Sequence, residues 1–206
     1  MITLKKSLFI AMLLFAGCKP TPEKKGNDYF IRDFKMDAPG LTILKSDSYQ
    51  QSTDYTCGPS AVVTLLRYYG MDGDEILIGR EMGTNDEVGT TPEAIESWLN
   101  TNGFNAKWSE NGSLEMLREK LEKGEPTLVE WSDWGGHWVL VVGYDTRTTE
   151  SISDDVIIFA DPYDYHDDNQ DGLTWFNAER FLYMWYDELL FDSLMTRVYV
   201  EAVPSN

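Results

Sequence analysis

The chain has 206 residues, 42% hydrophobic and 13% aromatic, with a formal net charge of -18 and two cysteines. This content is too apolar for disorder, the length suits one domain, and the acidity argues against a nucleic-acid partner, because a surface of this sign repels phosphate. Two cysteines exclude a disulfide framework and a cysteine-based zinc cluster, and two histidines leave few options for a metal enzyme.

Residues 1–17 read as an export signal: Lys5 and Lys6, an apolar run from Leu8 to Phe15, then the small residues Ala16 and Gly17 before Cys18. The run is shorter than the roughly 20 residues needed to span a bilayer. Leu-Phe-Ala-Gly-Cys resembles a bacterial lipobox, in which Cys18 is lipidated and becomes the first mature residue; Phe15 departs from the usual aliphatic residue. An ordinary cleaved secretory signal is the alternative. Residues 18–28, rich in Lys and Pro, read as a lipidated tether, and the domain is expected over 29–206. These features place the chain in a bacterial cell envelope, anchored to a membrane through lipid.

Export changes the meaning of Cys57. Thiols outside the cytoplasm tend to be paired, and with Cys18 acylated Cys57 has no partner in the chain. A buried core cysteine is the plain reading. The context Thr56-Cys57-Gly58-Pro59 argues against it, because a helix opens near Pro59, carries Ala61, Leu65 and Leu66, and stops at Gly70. A thiol just ahead of a helix N-terminus is acidified by the unpaired amides and the macrodipole. The same amides can face an oxyanion, and Gly58 allows backbone or substrate a close approach.

The middle of the chain predicts three helices: 74–82, from Thr91-Pro92 to Thr101 with Ile95, Trp98 and Leu99 buried, and one capped by Ser113 with Leu114, Leu117 and Leu121 inward. Residues 83–89 are candidates to line a cleft. Strands are then expected at Pro126–Trp131, His137–Tyr144 and Val156–Ala160, the last ended by Asp161-Pro162. If the second and third pair antiparallel, the start of one meets the end of the other. His137 and Asp161 then share a sheet edge, where a carboxylate can orient an imidazole. Each has a plain structural reading alone; with Cys57 they suggest a nucleophile, base and orienting acid. A helix capped by Asn177 with Phe181, Trp185 and Leu189, and a strand at Met195–Ala202, complete the elements.

These residues resemble the double-glycine leader (bacteriocin-processing) cysteine peptidases and their stand-alone relatives, within the papain-like fold. The resemblance rests on Gln51 six positions before Cys57-Gly58, on His137-Trp138 opening a Val-rich strand that ends at Gly143-Tyr144, and on Asp161-Pro162 closing the next. Gly89-Thr-Thr-Pro92 also looks like the stand-alone relatives, and the likeness spans roughly residues 45–190. It implies an α+β, papain-like cysteine peptidase fold, with an N-terminal helical part carrying the nucleophile at a helix N-terminus and packed on an antiparallel β-sheet. It further implies Cys57 as nucleophile, His137 as base, Asp161 as orienting carboxylate and Gln51 as oxyanion donor. No transporter membrane domain accompanies the motifs, so export-coupled leader removal is not expected.

Residues 154–171 hold seven aspartates and no Lys or Arg. Asp167, Asn169 and Asp171, followed by Gly172, resemble the first half of a calcium loop, but Ala178 stands where its bidentate Glu belongs, which favours a plain polar turn. His166 in this loop is a poorer base candidate than His137. Trp131, Trp134 and Trp138 flank the expected cleft, and Gly58, Trp134 and Trp138 are its candidate lining. The reading is a monomeric, cofactor-free thiol hydrolase acting on a peptide or protein. A catalytically silent binding lipoprotein of the same fold and an acyltransferase using the same residues are its rivals.

Overall fold

The computed structural model describes residues 38–133, 135–164, 170–187 and 194–205. The expected signal and tether, Cys18, Trp134, His166, Asp167, Asn169 and Leu189 lie outside them. The described elements run β1 (Leu41–Ile43), α1 (Cys57–Tyr68), α2 (Glu75–Met82), α3 (Pro92–Thr101), β2 (Phe104–Ser109) and α4 (Leu114–Glu122). Then follow β3 (Thr127–Ser132), β4 (Gly136–Asp145), β5 (Val156–Ala160), β6 (Leu173–Asn177), α5 (Ala178–Met184) and β7 (Tyr199–Pro204). The class is α+β, as expected; among the described elements α1 to α4 precede β3, and only β1 and β2 lie ahead of it among the strands.

All strand pairs are antiparallel, in the order β2-β7-β3-β4-β5-β6 with β1 against β4. The spine is β4. On one side its first half pairs with β3 and its last three residues with β1, while β5 occupies the other side. Gly143 is held between both neighbours: a Cβ there would meet Ile158 Cδ1 at 2.7 Å and the Thr42 carbonyl at 3.1 Å. A glycine is what lets three strands converge at that point.

Helix starts follow side-chain chemistry. Asp74 accepts from Leu77 N at 2.8 Å, Thr91 from Ala94 N at 3.3 Å, Ser113 from Met116 N at 3.0 Å and Asn177 from Arg180 N at 2.9 Å. Two expectations change at α1. It begins at Cys57 rather than near Pro59, and every residue from Cys57 to Leu66 is buried, not only an apolar stripe. This helix is central, packed on β4 and against α2 and α3. Among the described residues no helix is long and apolar enough to cross a membrane.

The core on the α4–α5 side gathers Leu117, Leu121, Val139, Val141, Phe159 and Phe181 around Trp131. Trp131 was expected at the cleft, but it is fully buried, with ring centroids 5.0 Å from Phe176, 5.4 Å from Phe159 and 5.8 Å from Phe181. The correction shows in its neighbours: the Trp131 ring lies in the cluster that α5 supplies with Ala178 and Phe181.

Other differences have local causes. Helix α5 stops at Met184, and Trp185 instead stacks on Phe181 at 4.9 Å and donates Nε1 to the Val198 carbonyl at 2.8 Å. The last strand starts at Tyr199, not Met195, because Arg197 takes a left-handed backbone (φ 53) where it donates to the Trp185 carbonyl. Trp98 is only half-buried, its Nε1 donating to Glu81 at 2.8 Å.

Candidate active site

The β4–β5 register aligns Leu140 with Ala160, so the start of β4 lies beside the residue after β5. There His137 Nε2 and Asp161 Oδ1 are 2.8 Å apart. Asp161 is fully buried, and Thr174 Oγ1 (2.8 Å) and Tyr163 N (2.9 Å) also donate to its carboxylate. Burial would raise its pKa, but the bonds from His137, Tyr163 and Thr174 outweigh that and hold it below the usual carboxylate range. With Nε2 committed, Nδ1 is the ring nitrogen left for Cys57.

Cys57 is the first residue of α1 and is buried, 6% exposed. Thr56 stands at the N-cap without using its side chain as a cap, and the first turn holds no acidic residue. The helix end is thus left positive for an anion. Burial would push the thiol pKa up, but the imidazole of His137 and the amide N–H groups of Trp138 and Gly58 outweigh it and leave the thiol more acidic than usual. Burial opposes charge on His137 too, yet Asp161 and Cys57 raise its pKa to about 10. The two directions agree: a thiolate–imidazolium pair is the favoured ionisation state.

Gln51 shares a cavity of about 450 Å³ with Cys57, His137, Asp54, Asp133 and Tyr163. Its Nε2 donates to the Thr53 carbonyl at 2.7 Å, which leaves the second N–H of that amide for another acceptor. Gln51 is fixed relative to Asp161 by bonds no motif predicts: Gln51 N donates to the Pro162 carbonyl at 2.9 Å. Ser48 Oγ (2.9 Å) and Gln50 Nε2 (2.7 Å) both donate to the Asp161 carbonyl. Ser48, Gln50 and Thr174 were missed because polar residues in loops carry no periodicity; only the Gln50-Gln51 doublet hinted that one amide serves the backbone.

On the other side of Cys57 a cavity of about 250 Å³ is lined by Trp138, Asp86, Glu87, Val88 and Gly89, which bears on residues 83–89 as the candidate cleft segment. Trp138 is buried and donates Nε1 to the Thr90 carbonyl at 2.9 Å. Gly58 requires correction. It does not line the cleft but lies against Thr90, where a Cβ would come within 2.6 Å of Oγ1 and 2.7 Å of Cβ. The close approach it permits is by the chain's own loop, not by a substrate. Of the calcium candidates, Asp171 turns Oδ1 to the Leu173 amide at 2.9 Å. Among the described residues no group of three or more His, Cys, Asp or Glu is placed to hold a metal.

Comparison with known proteins supplies the family. The chain is 18% identical to the peptidase domain of Streptococcus ComA, a bi-functional ABC transporter involved in a quorum-sensing pathway, with a TM-score of 0.57 over 79% of this chain and 99% of that one. A double glycine motif protease from an AMS/PCAT transporter, solved in complex with the leader peptide, gives 17% identity and a TM-score of 0.53 over 79% and 94%. At these identities the likeness shows the papain-like fold. An uncharacterised protein of Methanothermobacter thermautotrophicus is 30% identical over 97 residues, 47% of this chain and 63% of the relative, and one from Methanothermobacter marburgensis over 98 residues, 48% and 64%. The chain thus spans less than two thirds of these curated relatives' length. The model of the Peptidase_C39 like family matches residues 43–187, and the chain belongs to that family.

Proposed function

We propose that this protein is an exported, lipid-anchored cysteine peptidase that cleaves peptide bonds with Cys57 as nucleophile, His137 as base and then acid, Asp161 as orienting carboxylate and Gln51 as oxyanion donor. The carrying observation is that the thiol at the uncapped N-terminus of α1 faces an imidazole held at 2.8 Å by a fully buried carboxylate. The Cys57 thiolate attacks the scissile carbonyl carbon, and the C=O pair moves to oxygen, which the free Gln51 N–H and the Cys57 amide receive. Collapse breaks the C–N bond while His137 gives its proton to the leaving amine, forming a thioester. Water, losing a proton to His137, then releases the acid and restores the thiol pair.

The cleft favours a peptide of positive charge. Asp54, Asp133, Asp86, Glu87 and Glu130 line its two cavities, and no Lys or Arg does so among the described residues. An opposite charge on the substrate raises both encounter rate and occupancy. Anchoring through Cys18 belongs to this reading and rests on the lipobox-like Leu14 to Cys18.

The test is reaction of the purified full chain with an iodoacetamide-type probe across pH. Alkylation of Cys57 well above the rate of a free model thiol near neutrality, lost in His137→Ala, is expected. A rate equal to the model thiol and indifferent to His137→Ala would overturn the enzyme reading.

A further inference from the structure

One buried carboxylate beside the site has no part in the steps above. Glu75 is the first residue of α2, a position where a carboxylate ordinarily sits in water near the helix N-terminus. Here it is only 2% exposed. Its Oε1 accepts from Ser52 N at 2.8 Å, and the hydroxyls of Tyr49, Ser52, Thr56 and Ser60 face the same group. Burial alone would raise its pKa, but the Ser52 amide and the nearby Thr56 and Ser60 hydroxyls outweigh it and hold the carboxyl below its usual range. Burying a charge is costly unless it is well bonded, and an apolar side chain would fill the space more cheaply.

The partners are not scattered. Tyr49 and Ser52 bracket Gln51, and Thr56 and Ser60 bracket Cys57. Between Ser52 and Thr56 the bonds among the described residues are local, such as Thr53 N to Thr56 Oγ1 at 3.3 Å. The hydrogen bond from Ser52 N ties the residue after Gln51 to α2, and the Thr56 and Ser60 hydroxyls on either side of Cys57 lie near the same carboxylate. We propose that Glu75 is a positioning residue, which fixes the Gln51 amide relative to the Cys57 sulfur through the 52–56 loop. This rests on the peptidase reading. Misplacing a donor by about 1 Å is enough to cost on the order of 100-fold in rate.

The experiment compares wild type, Glu75→Ala, Glu75→Gln, Gln51→Ala and the Glu75→Ala/Gln51→Ala pair as full chains. It reads kcat and KM on a basic peptide, the rate of Cys57 alkylation by iodoacetamide, and protection from that alkylation by an acetylated peptide aldehyde. The aldehyde adds to the Cys57 sulfur and gives a tetrahedral oxyanion, so it reports the hole without turnover. Glu75→Ala is expected to lower kcat and weaken aldehyde protection by about 10- to 100-fold, with KM and alkylation rate within about twofold of wild type. The double variant falls no further than Gln51→Ala alone, because one residue acts through the other. Glu75→Gln, which keeps the acceptor for Ser52 N, recovers most of the loss.

If Glu75→Ala does not fold, as thermal unfolding will show, Glu75→Gln carries the same cycle with a smaller loss. Effects that multiply with Gln51→Ala, or a fall in alkylation rate equal to the fall in protection, overturn the proposal. A wild type that is alkylated rapidly and binds the aldehyde but cleaves no peptide sinks the peptidase reading, and the protection cycle still decides the role of Glu75.

Discussion

His137 and Asp161 stand 24 positions apart in the chain and 2.8 Å apart in space, and the pairing of β4 with β5 alone closes that gap. On the proposed mechanism, activity needs Cys57 deprotonated and His137 protonated. The acid limb of the rate profile therefore lies at the lowered thiol pKa and the alkaline limb near the raised imidazole pKa of about 10. Asp161→Asn removes a group that raises His137, so the alkaline limb moves down in pH and kcat/KM falls by about 10²-fold or more. Initial rates from pH 4 to 11 check both; an alkaline limb that stays in place contradicts the assignment.

Thr174 is the less obvious partner of the same carboxylate. Thr174→Val keeps the shape and deletes the hydroxyl that donates to Asp161 Oδ2 at 2.8 Å. A buried charged oxygen left without that donor costs about 1–3 kcal/mol. Loss of the donor also raises the Asp161 pKa. Urea unfolding should show the destabilisation, and the rate profile should lose activity at its acid end first.

At Gly58 a methyl group has nowhere to go. Gly58→Ala would bring Cβ to 2.6 Å from Thr90 Oγ1, forcing α1 and the 83–91 loop apart. Overpacking of this kind costs about 1–3 kcal/mol, and Thr90→Gly in the same chain should recover much of it. Because the loop also lines the cleft with Asp86 and Glu87, peptide KM should rise with the single change and fall back with the pair.

Charge around the cleft predicts selectivity. Peptides with Lys or Arg near the scissile bond should be cleaved faster than matched acidic ones. The advantage should shrink as salt rises from 20 to 500 mM, by about tenfold at most, since exposed charges are screened. The pair Asp86→Asn/Glu87→Gln should reduce it at low salt. Equal rates for basic and acidic peptides would remove charge from the account of specificity.

For the anchor, metabolic labelling with an alkyne fatty acid should mark the wild type and not Cys18→Ala. The variant should also leave the detergent phase on Triton X-114 partition. A label that persists in Cys18→Ala would put the lipid elsewhere.

Much of this was legible in the sequence where local rules govern. Thr91, Ser113 and Asn177 cap helices as their side chains dictate, and Gly103 and Gly124 close them in left-handed conformations. The His137–Asp161 meeting followed from hairpin logic. What escaped depends on tertiary context. Strand β2 has a mixed pattern because it lies at the sheet edge, half in water, and β1 is three residues that make sense only beside β4. Trp131 and Trp138 both stand at the cleft end of the sheet and look alike in sequence, yet one fills the core and the other bonds to Thr90. Glu75 looked like any helix-opening glutamate, since burial of a surface-type residue leaves no mark in composition.

The 6% exposure of Cys57 also sets what can reach it. The sulfur lies at the junction of two cavities that share Asp54 and Gly136. A single extended strand, thin enough to lie along the junction with side chains to either side, fits. On the peptidase reading, the expected substrates are tails, linkers or unfolded segments.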